Sequence, residues 1–231
     1  MSLRNEMSER QLRKKLMTER ISGAIGISGF VVFWVALFAF GASRADYSHF
    51  HQAVSELGVL GAPHALAWNL MGFIVPGLLL AMFGEGLASA IDGRRGALWW
   101  FLVLSGLSFA ATGIVPGEMR NGSPMMESPL TIGHLLFANL APLLWFVASF
   151  LVIRRVKKNP SWRPFTTLAA VYAVIFVGGF LFSIVSSAFI PSLADMPGLV
   201  QRLCFASYFG WFLIMSFHLR SAVPRVRLPS G

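Results

Sequence analysis

Charged residues and cysteine are scarce in this sequence. Charged side chains make up 13% of its 231 residues, about half the share that is usual in soluble domains, which argues against a water-soluble globular domain. The single cysteine, Cys204, excludes an intrachain disulfide and a thiolate metal site. The sequence contains no GxSxG, HExxH, Walker or GxGxxG motif, so it carries no signature of the common hydrolases or nucleotide-binding enzymes.

Long apolar stretches are abundant instead. Hydrophobic residues make up 55% of the chain, with 21 Phe and 7 Trp. About 20 helical residues are needed to cross a hydrocarbon layer roughly 30 Å thick. Stretches of this length lie near residues 21–41, 63–84, 97–116, 131–153, 166–190 and 199–219. They predict an all-α, six-helix transmembrane bundle over residues 21–219, preceded by a basic segment 1–20 and followed by a tail 220–231.

The basic residues are distributed unevenly among the segments that connect the spans. If the N-terminus lies in the cytoplasm, most Lys and Arg residues fall on the cytoplasmic side, and the exceptions are Arg44, Arg120 and Arg202. This bias follows the positive-inside rule and predicts that both termini are cytoplasmic. The net charge of +9 is then explained without nucleic acid. We expect an integral protein of a bacterial inner membrane whose cytoplasmic face attracts anionic lipid.

Residues 1–20 leave two alternatives open. Leu3, Met7, Leu12 and Leu16 recur at mostly helical spacing, which favours a short helix lying on the membrane surface. The high charge of the same segment is equally typical of a disordered tail. In either case the segment is expected on the cytoplasmic side.

The first outer connection is polar although it lies between two apolar spans. It reads "DYSHFHQAVSELG" over residues 46–58. Phe50, Val54 and Leu57 are spaced i, i+4 and i+7, which predicts a short amphipathic helix over residues 47–57. We expect this helix to lie as a lid across the outer mouth of the bundle, between spans one and two.

Small residues recur on one face of two spans. Gly106 and Ala110 are four residues apart in the third span, and Gly179, Ser183 and Ser187 follow the same spacing in the fifth. Such faces allow helix backbones to approach closely in lipid, where no hydrophobic effect drives helices together. We therefore interpret both faces as helix-packing surfaces.

Polar side chains gather near the outer ends of the spans, whereas the middle of the spans has almost no ionisable group. Ionisable groups in membrane helices are costly, so their concentration at one depth predicts a functional site. The candidate residues are Ser55, Glu56, His64, Asn69, His134, Asn139 and Arg202.

The candidates suggest separate roles. We expect Glu56 and Arg202 to form an ion pair that holds the lid on span six. If a reaction occurs, His134 with Glu56 is the candidate catalytic acid–base pair, because a histidine beside a carboxylate exchanges protons near neutral pH. The other candidates would bind a polar head group, with Arg202 holding an anionic one. The histidine spacing matches no metal motif, so we predict no metal and no cofactor.

Several segments resemble a known family. "YSHFHQAVSELGVLGAPHALAWN", "GIVPGE", "HLLFANLA" and "GLVQRL" resemble blocks of the bacterial and archaeal membrane proteins catalogued as domain of unknown function 998. The resemblance runs from about residue 25 to residue 219, and it implies fold and topology without an activity. The "SELG" segment is also similar to the eukaryotic six-span Frag1 and DRAM group, some of which act in glycolipid remodelling. The family's signature positions fall on Ser55, Glu56, Asn69, Pro116, His134 and Arg202.

Two functions are open on this basis. The first is binding or processing of a lipid-like amphiphile in a polar pocket near the outer leaflet. The second is a non-catalytic accessory or scaffold role, in which the outer polar residues form a structural latch and the basic inner loops contact anionic lipid or a partner. The middle of the spans has almost no ionisable group, which argues against a transporter. The sequence leaves the oligomeric state open.

Overall fold

The structure is a computed structural model of the chain. It describes residues 2–93, 95–120 and 123–221, with side chains throughout these ranges except at 2–9, 187, 188 and 191. The predicted tail 220–231 lies almost entirely outside the described residues, as does the side chain of Ser187.

Long helices dominate the described residues. They are α1 Ser2–Ala42, α2 Ala65–Asp92, α3 Ala97–Ile114, α4 Pro129–Lys158, α5 Thr166–Phe189 and α6 Pro197–Ser221. Each contains a window that is long and apolar enough to cross a membrane. The predicted all-α, six-span bundle is thereby confirmed, and the cytoplasmic placement of the termini stays a prediction.

The first helix is longer than the predicted first span. α1 begins at Ser2 and continues without interruption to Ala42, so the basic segment 1–20 is, from Ser2 onward, a helical extension of span one. It is a helix rather than the disordered alternative, and its placement at a membrane surface stays a prediction.

The connection between α1 and α2, residues 43–64, is called the lid here. The predicted helix over residues 47–57 is wrong, because this segment is made of turns followed by one 3₁₀ turn, Val54–Leu57. Polar side chains explain the difference: Ser48 N donates to Gln52 Oε1 at 2.6 Å, and such local side-chain bonds compete with helix formation. Phe50, expected on the apolar face, is 56% exposed.

The lid contacts the other connections at its end of the bundle. Leu60 N donates to Gly117 O at 3.0 Å, in the connection between α3 and α4. Leu199 N, in the first turn of α6, donates to Phe50 O at 3.0 Å. The α3–α4 connection also contains a two-strand hairpin, β1 Met119–Arg120 and β2 Ser123–Pro124. These backbone bonds place the lid, the α3–α4 connection and the start of α6 on one face of the bundle, called the lid face below.

Helices α2 and α3 approach at glycines. A Cβ placed on Gly106 would lie 2.3 Å from Ala81 N, and one on Gly77 would lie 2.4 Å from Ala110 N. Backbone contacts this short leave no room for a side chain, so the packing face predicted at Gly106 and Ala110 is confirmed.

Helix α2 is irregular near its start. It is π-helical over Asn69–Ile74, and this segment ends two residues before Pro76. Proline has no N–H to donate and its ring crowds the carbonyl four residues earlier. Wider π turns accommodate such a residue and are frequent at functional sites. Asn69 begins the π segment, and its side chain is buried.

Candidate functional site

Arg202, in the second turn of α6, is the centre of the contacts between the lid and the bundle. Its residue is 9% exposed. Nη1 donates to Gln52 O at 3.0 Å and to Gly198 O at 2.8 Å. Nη2 donates to Tyr47 Oη at 2.6 Å, and Nε lies 3.2 Å from His49 Nδ1. Every nitrogen of the guanidinium therefore has a neutral partner on the lid or on its own helix.

The predicted ion pair between Glu56 and Arg202 is absent from the described residues. The Glu56 carboxylate instead accepts from Ala53 N at 2.8 Å and from Gln52 Nε2 at 3.3 Å. It therefore caps the 3₁₀ turn that contains it. The lid is held on α6 as expected, but by bonds from Arg202 to neutral groups. The prediction paired Glu56 with Arg202 by their opposite charge. It is wrong because donors near Glu56 in the sequence bond its carboxylate instead.

Tyr47 lies between two arginines. The guanidinium carbons of Arg44 and Arg202 each lie 5.6 Å from the centre of its ring. Its hydroxyl accepts from Arg202 and donates to Ala53 O at 3.1 Å. Burial raises the pKa of Tyr47, and the positive charge of Arg202 opposes that shift. The phenol therefore stays protonated and relays the contact of Arg202 to the start of the 3₁₀ turn.

His49 contacts the same guanidinium. Its Nδ1 accepts from Arg202, so the imidazole is neutral in this contact. Burial lowers the pKa of His49, and the charge of Arg202 lowers it further. Protonation would replace an acceptor with a donor facing a cation. The contact is therefore sensitive to acid.

Gly198 allows the lid to approach the first turn of α6. A Cβ at this position would lie 2.3 Å from Gln52 O and 2.8 Å from His49 O. Val54 N also donates to the side chain of Gln201. The lid is thus fixed on α6 by its backbone, and only glycine fits at the point of contact.

We call this group of residues the latch. It consists of Tyr47, His49, Gln52, Gly198, Gln201 and Arg202.

His134 lies one turn and a half into α4, and it is 5% exposed. Its Nδ1 lies 3.0 Å from Thr112 O and 2.9 Å from Val115 O at the end of α3. A carbonyl oxygen only accepts, so Nδ1 carries the proton and Nε2 is an acceptor in the neutral ring. No hydrogen bond joins His134 to Glu56 within the described residues. A catalytic role for this pair therefore stays a prediction.

A cavity of about 330 Å³ lies between α4, α5 and α6 beneath the lid face. Its walls are mostly apolar, with Phe73, Phe109, Phe180 and Phe205 among them. The polar side chains that line it are Ser55, Thr112, His134, Asn139, Ser183, Ser186, Gln201, Cys204 and Tyr208. Of the predicted site residues, the cavity therefore brings together Ser55, His134 and Asn139.

The other predicted residues lie elsewhere. His64 is exposed and takes a left-handed backbone conformation, φ 60°, at the start of α2. Asn69 is buried and donates to Gly58 O at 2.8 Å, which fixes the end of the 3₁₀ turn. Glu56 and Arg202 belong to the lid and the latch, and neither lines the cavity. The predicted set thus divides into three groups. Glu56, Asn69 and Arg202 stabilise the lid, Ser55, His134 and Asn139 line the cavity, and His64 is exposed at the start of α2.

Part of the cavity lining is exposed. Asn139, Ala194 and Pro197 line it and are exposed. Asn139 lies on the same stripe of α4 as Leu136 and Leu143, which are 61% and 49% exposed. It lies ten residues into α4, about 15 Å along the helix. On α4 the cavity therefore borders the surface that these leucines form, which contacts lipid for a transmembrane helix.

Sequence reasoning missed several of these residues. Tyr47 and His49 lie within the predicted lid helix, yet their role depends on the position of the Arg202 guanidinium in α6. Ser183 was interpreted as part of a packing face, and it lines the cavity together with Ser186. The spacing of Ser183 to Ser186 and of Cys204 to Tyr208, three and four residues, was the available signal for two polar stripes that face each other.

Six helices that are long and apolar enough to cross a membrane define a polytopic integral membrane protein. Over residues 27–218 the chain matches the family described as "Protein of unknown function (DUF998)", and it belongs to that family. The resemblance seen in the four sequence segments is thereby confirmed. No curated protein and no solved structure matches the chain.

Proposed function

We propose that this protein binds an amphiphilic small molecule or lipid, taken from the bilayer, in the cavity between α4, α5 and α6. The observation that carries the proposal is a cavity with mostly apolar walls, with polar side chains among them, that borders the outward-facing leucines of α4. Its volume falls within the roughly 300–1,000 Å³ that is usual for ligand pockets. The tail of the ligand would lie along the phenylalanines and its head would reach His134 and Ser186.

A buried hydroxyl without a partner supports the interpretation that the cavity holds a ligand rather than being a packing defect. Ser186 is 1% exposed and lines the cavity. Its Oγ has no hydrogen-bond partner among the residues that the structure describes. A buried hydroxyl without a partner costs free energy. A ligand that supplies the missing bond removes that cost.

A matched pair of substitutions on α4 tests the proposal. Leu135 lines the cavity, and its neighbour Leu136 faces outward. The Leu135→Trp substitution fills the cavity, and Leu136→Trp adds the same bulk outside it. We expect native mass spectrometry of the purified protein to show a bound amphiphile in the wild type and in Leu136→Trp and to show its loss in Leu135→Trp. Equal occupancy in all three proteins, at similar melting temperature, would refute the proposal.

A second candidate function is an accessory or scaffold role without a ligand. The observation that favours it is that the latch uses its polar groups internally, whereas cationic side chains at the opposite face are exposed. Those side chains are Arg154, Lys157, Lys158 and Arg163, and they are suited to contact anionic lipid or an acidic partner. Charge reversal at Lys157 and Lys158 would then weaken binding to vesicles that contain anionic lipid, and substitutions in the cavity would have no effect.

A further inference from the structure

We infer that the cavity selects an uncharged amphiphile whose head group is a hydroxyl, with His134 Nε2 as the principal acceptor. This inference rests on the proposed function and narrows the class of ligand. It replaces the anionic head group that was expected from the sequence.

The first argument is charge. Within the described residues, none of the side chains that line the cavity is Asp, Glu, Lys or Arg. Arg202, the expected partner of an anion, does not line the cavity, and its nitrogens already bond Tyr47, His49 and two carbonyls. An ionised head group in such a site would be buried without a counter-charge, which is strongly unfavourable.

The second argument is the direction of the hydrogen bonds. Nδ1 of His134 donates to the carbonyls of α3, so Nε2 presents only a lone pair. A buried imidazole without a carboxylate partner is neutral. A ligand must therefore bring a donor to this nitrogen. An ether or an ester leaves it without a partner.

Tyr208 presents a second acceptor. Ser105 Oγ donates its proton to Ala141 O at 2.7 Å. The contact of 3.1 Å between Ser105 Oγ and Tyr208 Oη then uses the proton of Tyr208. The tyrosine oxygen therefore has only lone pairs left, and its side chain lines the cavity.

The remaining polar groups of the cavity offer one more acceptor and two donors. Asn139 donates through Nδ2 to Leu135 O at 2.7 Å, which leaves its Oδ1 as an acceptor. Ser186 Oγ has no partner in the described part of the chain, and Gln201 uses only its oxygen, on Val54 N. Ser186 and Gln201 can donate to the oxygen of a ligand. A hydroxyl both donates and accepts, so it can bond the acceptors and the donors of the cavity. A charged head group or one that only accepts cannot do both without a buried cost.

The single cysteine of the chain provides the readout. Cys204 is half-buried and lines the cavity. A ligand in the cavity would protect its thiol from alkylation by a small maleimide, and mass spectrometry measures the modified fraction. The wild-type protein in lipid nanodiscs is titrated with 1-dodecanol, dodecyl methyl ether and dodecyl phosphate at equal mole fractions in the bilayer. The three probes share one chain and differ only in the head.

We expect dodecanol to protect Cys204 at a mole fraction about tenfold lower than the ether or the phosphate, because each of these leaves a buried polar or charged group without a partner. Equal protection by alcohol and ether, or stronger protection by the phosphate, overturns the inference and leaves the proposed function standing. Protection by none of the probes overturns both.

A variant assigns the selectivity to His134. The His134→Phe substitution keeps an aromatic ring and removes the acceptor, so it should reduce the protection by dodecanol to that of the ether. Leu136→Phe, on the outward face of the same helix, serves as the control and should keep the tenfold preference. If His134→Phe does not fold, Asn139→Leu removes another acceptor and should reduce the preference. An unchanged preference in the folded variants contradicts the assignment.

Discussion

Arg202 Nη2 donates to Tyr47 Oη at 2.6 Å, which joins the second turn of α6 to a residue close to the end of α1. This bond connects segments that are far apart in the sequence, and the tyrosine passes the contact to Ala53 O. This guanidinium holds the lid on the end of the bundle. Because Ala53 and Ser55 also line the cavity, the latch positions part of the cavity wall.

Removal of the guanidinium should loosen the lid. The Arg202→Gln substitution leaves Tyr47 and the carbonyls of Gln52 and Gly198 without their donor. We expect a loss of about 2–4 kcal/mol, since each buried group left unpaired costs roughly 1–3 kcal/mol. The melting temperature, followed by tryptophan fluorescence, should fall by about 5–10 °C. Arg202→Lys should recover only part of this loss, because a lysine ammonium lacks the planar, forked set of donors of a guanidinium. An unchanged melting temperature for both variants would show that the latch is not structural.

The close contact at Gly198 gives an independent test of the latch. The Gly198→Ala substitution forces a Cβ against Gln52 O, so the lid must move. We expect a loss of roughly 1–3 kcal/mol and faster cleavage of the lid by a protease. Gly210→Ala, on the same helix, is the control, because a Cβ there has no heavy atom within 4 Å. Equal behaviour of the two variants would contradict the packing described for Gly198.

The stability of the protein should fall in mild acid, in part through His49. Its pKa in the folded state is lowered by burial and by Arg202, so the unfolded chain binds more protons near its ordinary value of about 6.5. Stability from this group is therefore complete above that pH and decreases as the pH falls through it. Tyr47, Phe38 and Arg202 surround the ring, and burial raises the pKa of Tyr47 further above this window.

His49→Asn isolates this contribution. The asparagine oxygen replaces Nδ1 as an acceptor and does not titrate. The melting temperature should therefore decrease less between pH 7.5 and pH 5.5 in the variant than in the wild type, with the other histidines common to both. Parallel pH curves for the two proteins would rule out a role for His49.

Helices α2 and α3 should not tolerate a methyl group at their contact. The Gly106→Ala substitution places a carbon against Ala81 N and Gly77 O, and the helices must separate. We expect a loss of about 1–3 kcal/mol in thermal or denaturant unfolding. Gly178→Ala on α5, where a Cβ meets no heavy atom within 4 Å, should be neutral or stabilising by up to about 1 kcal/mol. If Gly106→Ala is also neutral, the close approach is not as described.

The orientation in the membrane is measurable with single cysteines. In a Cys204→Ser background, Leu60→Cys places a thiol in the lid and Ser161→Cys places one between α4 and α5; both positions are exposed. A membrane-impermeant maleimide added to intact cells should label the lid position only, because the positive-inside rule puts the lid outside. Labelling of position 161 alone would reverse the predicted topology.

Much of the fold was predictable from hydropathy. Spans predicted at 97–116 and 166–190 correspond to α3 Ala97–Ile114 and α5 Thr166–Phe189, because a run of about 20 apolar residues leaves a membrane chain few alternatives to a helix. The lid was different. It is short, and its backbone is bonded by Ser48, Gln52 and Glu56, so its apolar spacing did not determine its structure.

The candidate site was only partly predictable, for a physical reason. Depth in the bilayer follows from position in a span, and His134 and Asn139, which were chosen by depth, both line the cavity. Rotation about the helix axis does not follow from depth. It turned Arg202 toward Tyr47 and away from the cavity, and it left His64 exposed. The cavity itself depends on how α4, α5 and α6 pack, which no single-span pattern encodes.

The most direct test is an experimental structure of the protein extracted with its native lipid in polymer nanodiscs. Elongated density between α4, α5 and α6, with its polar end within hydrogen-bond distance of His134 Nε2 and Ser186 Oγ, is the predicted result. A cavity closed by Leu135 and Phe205, or filled only by ordered water, would contradict the account.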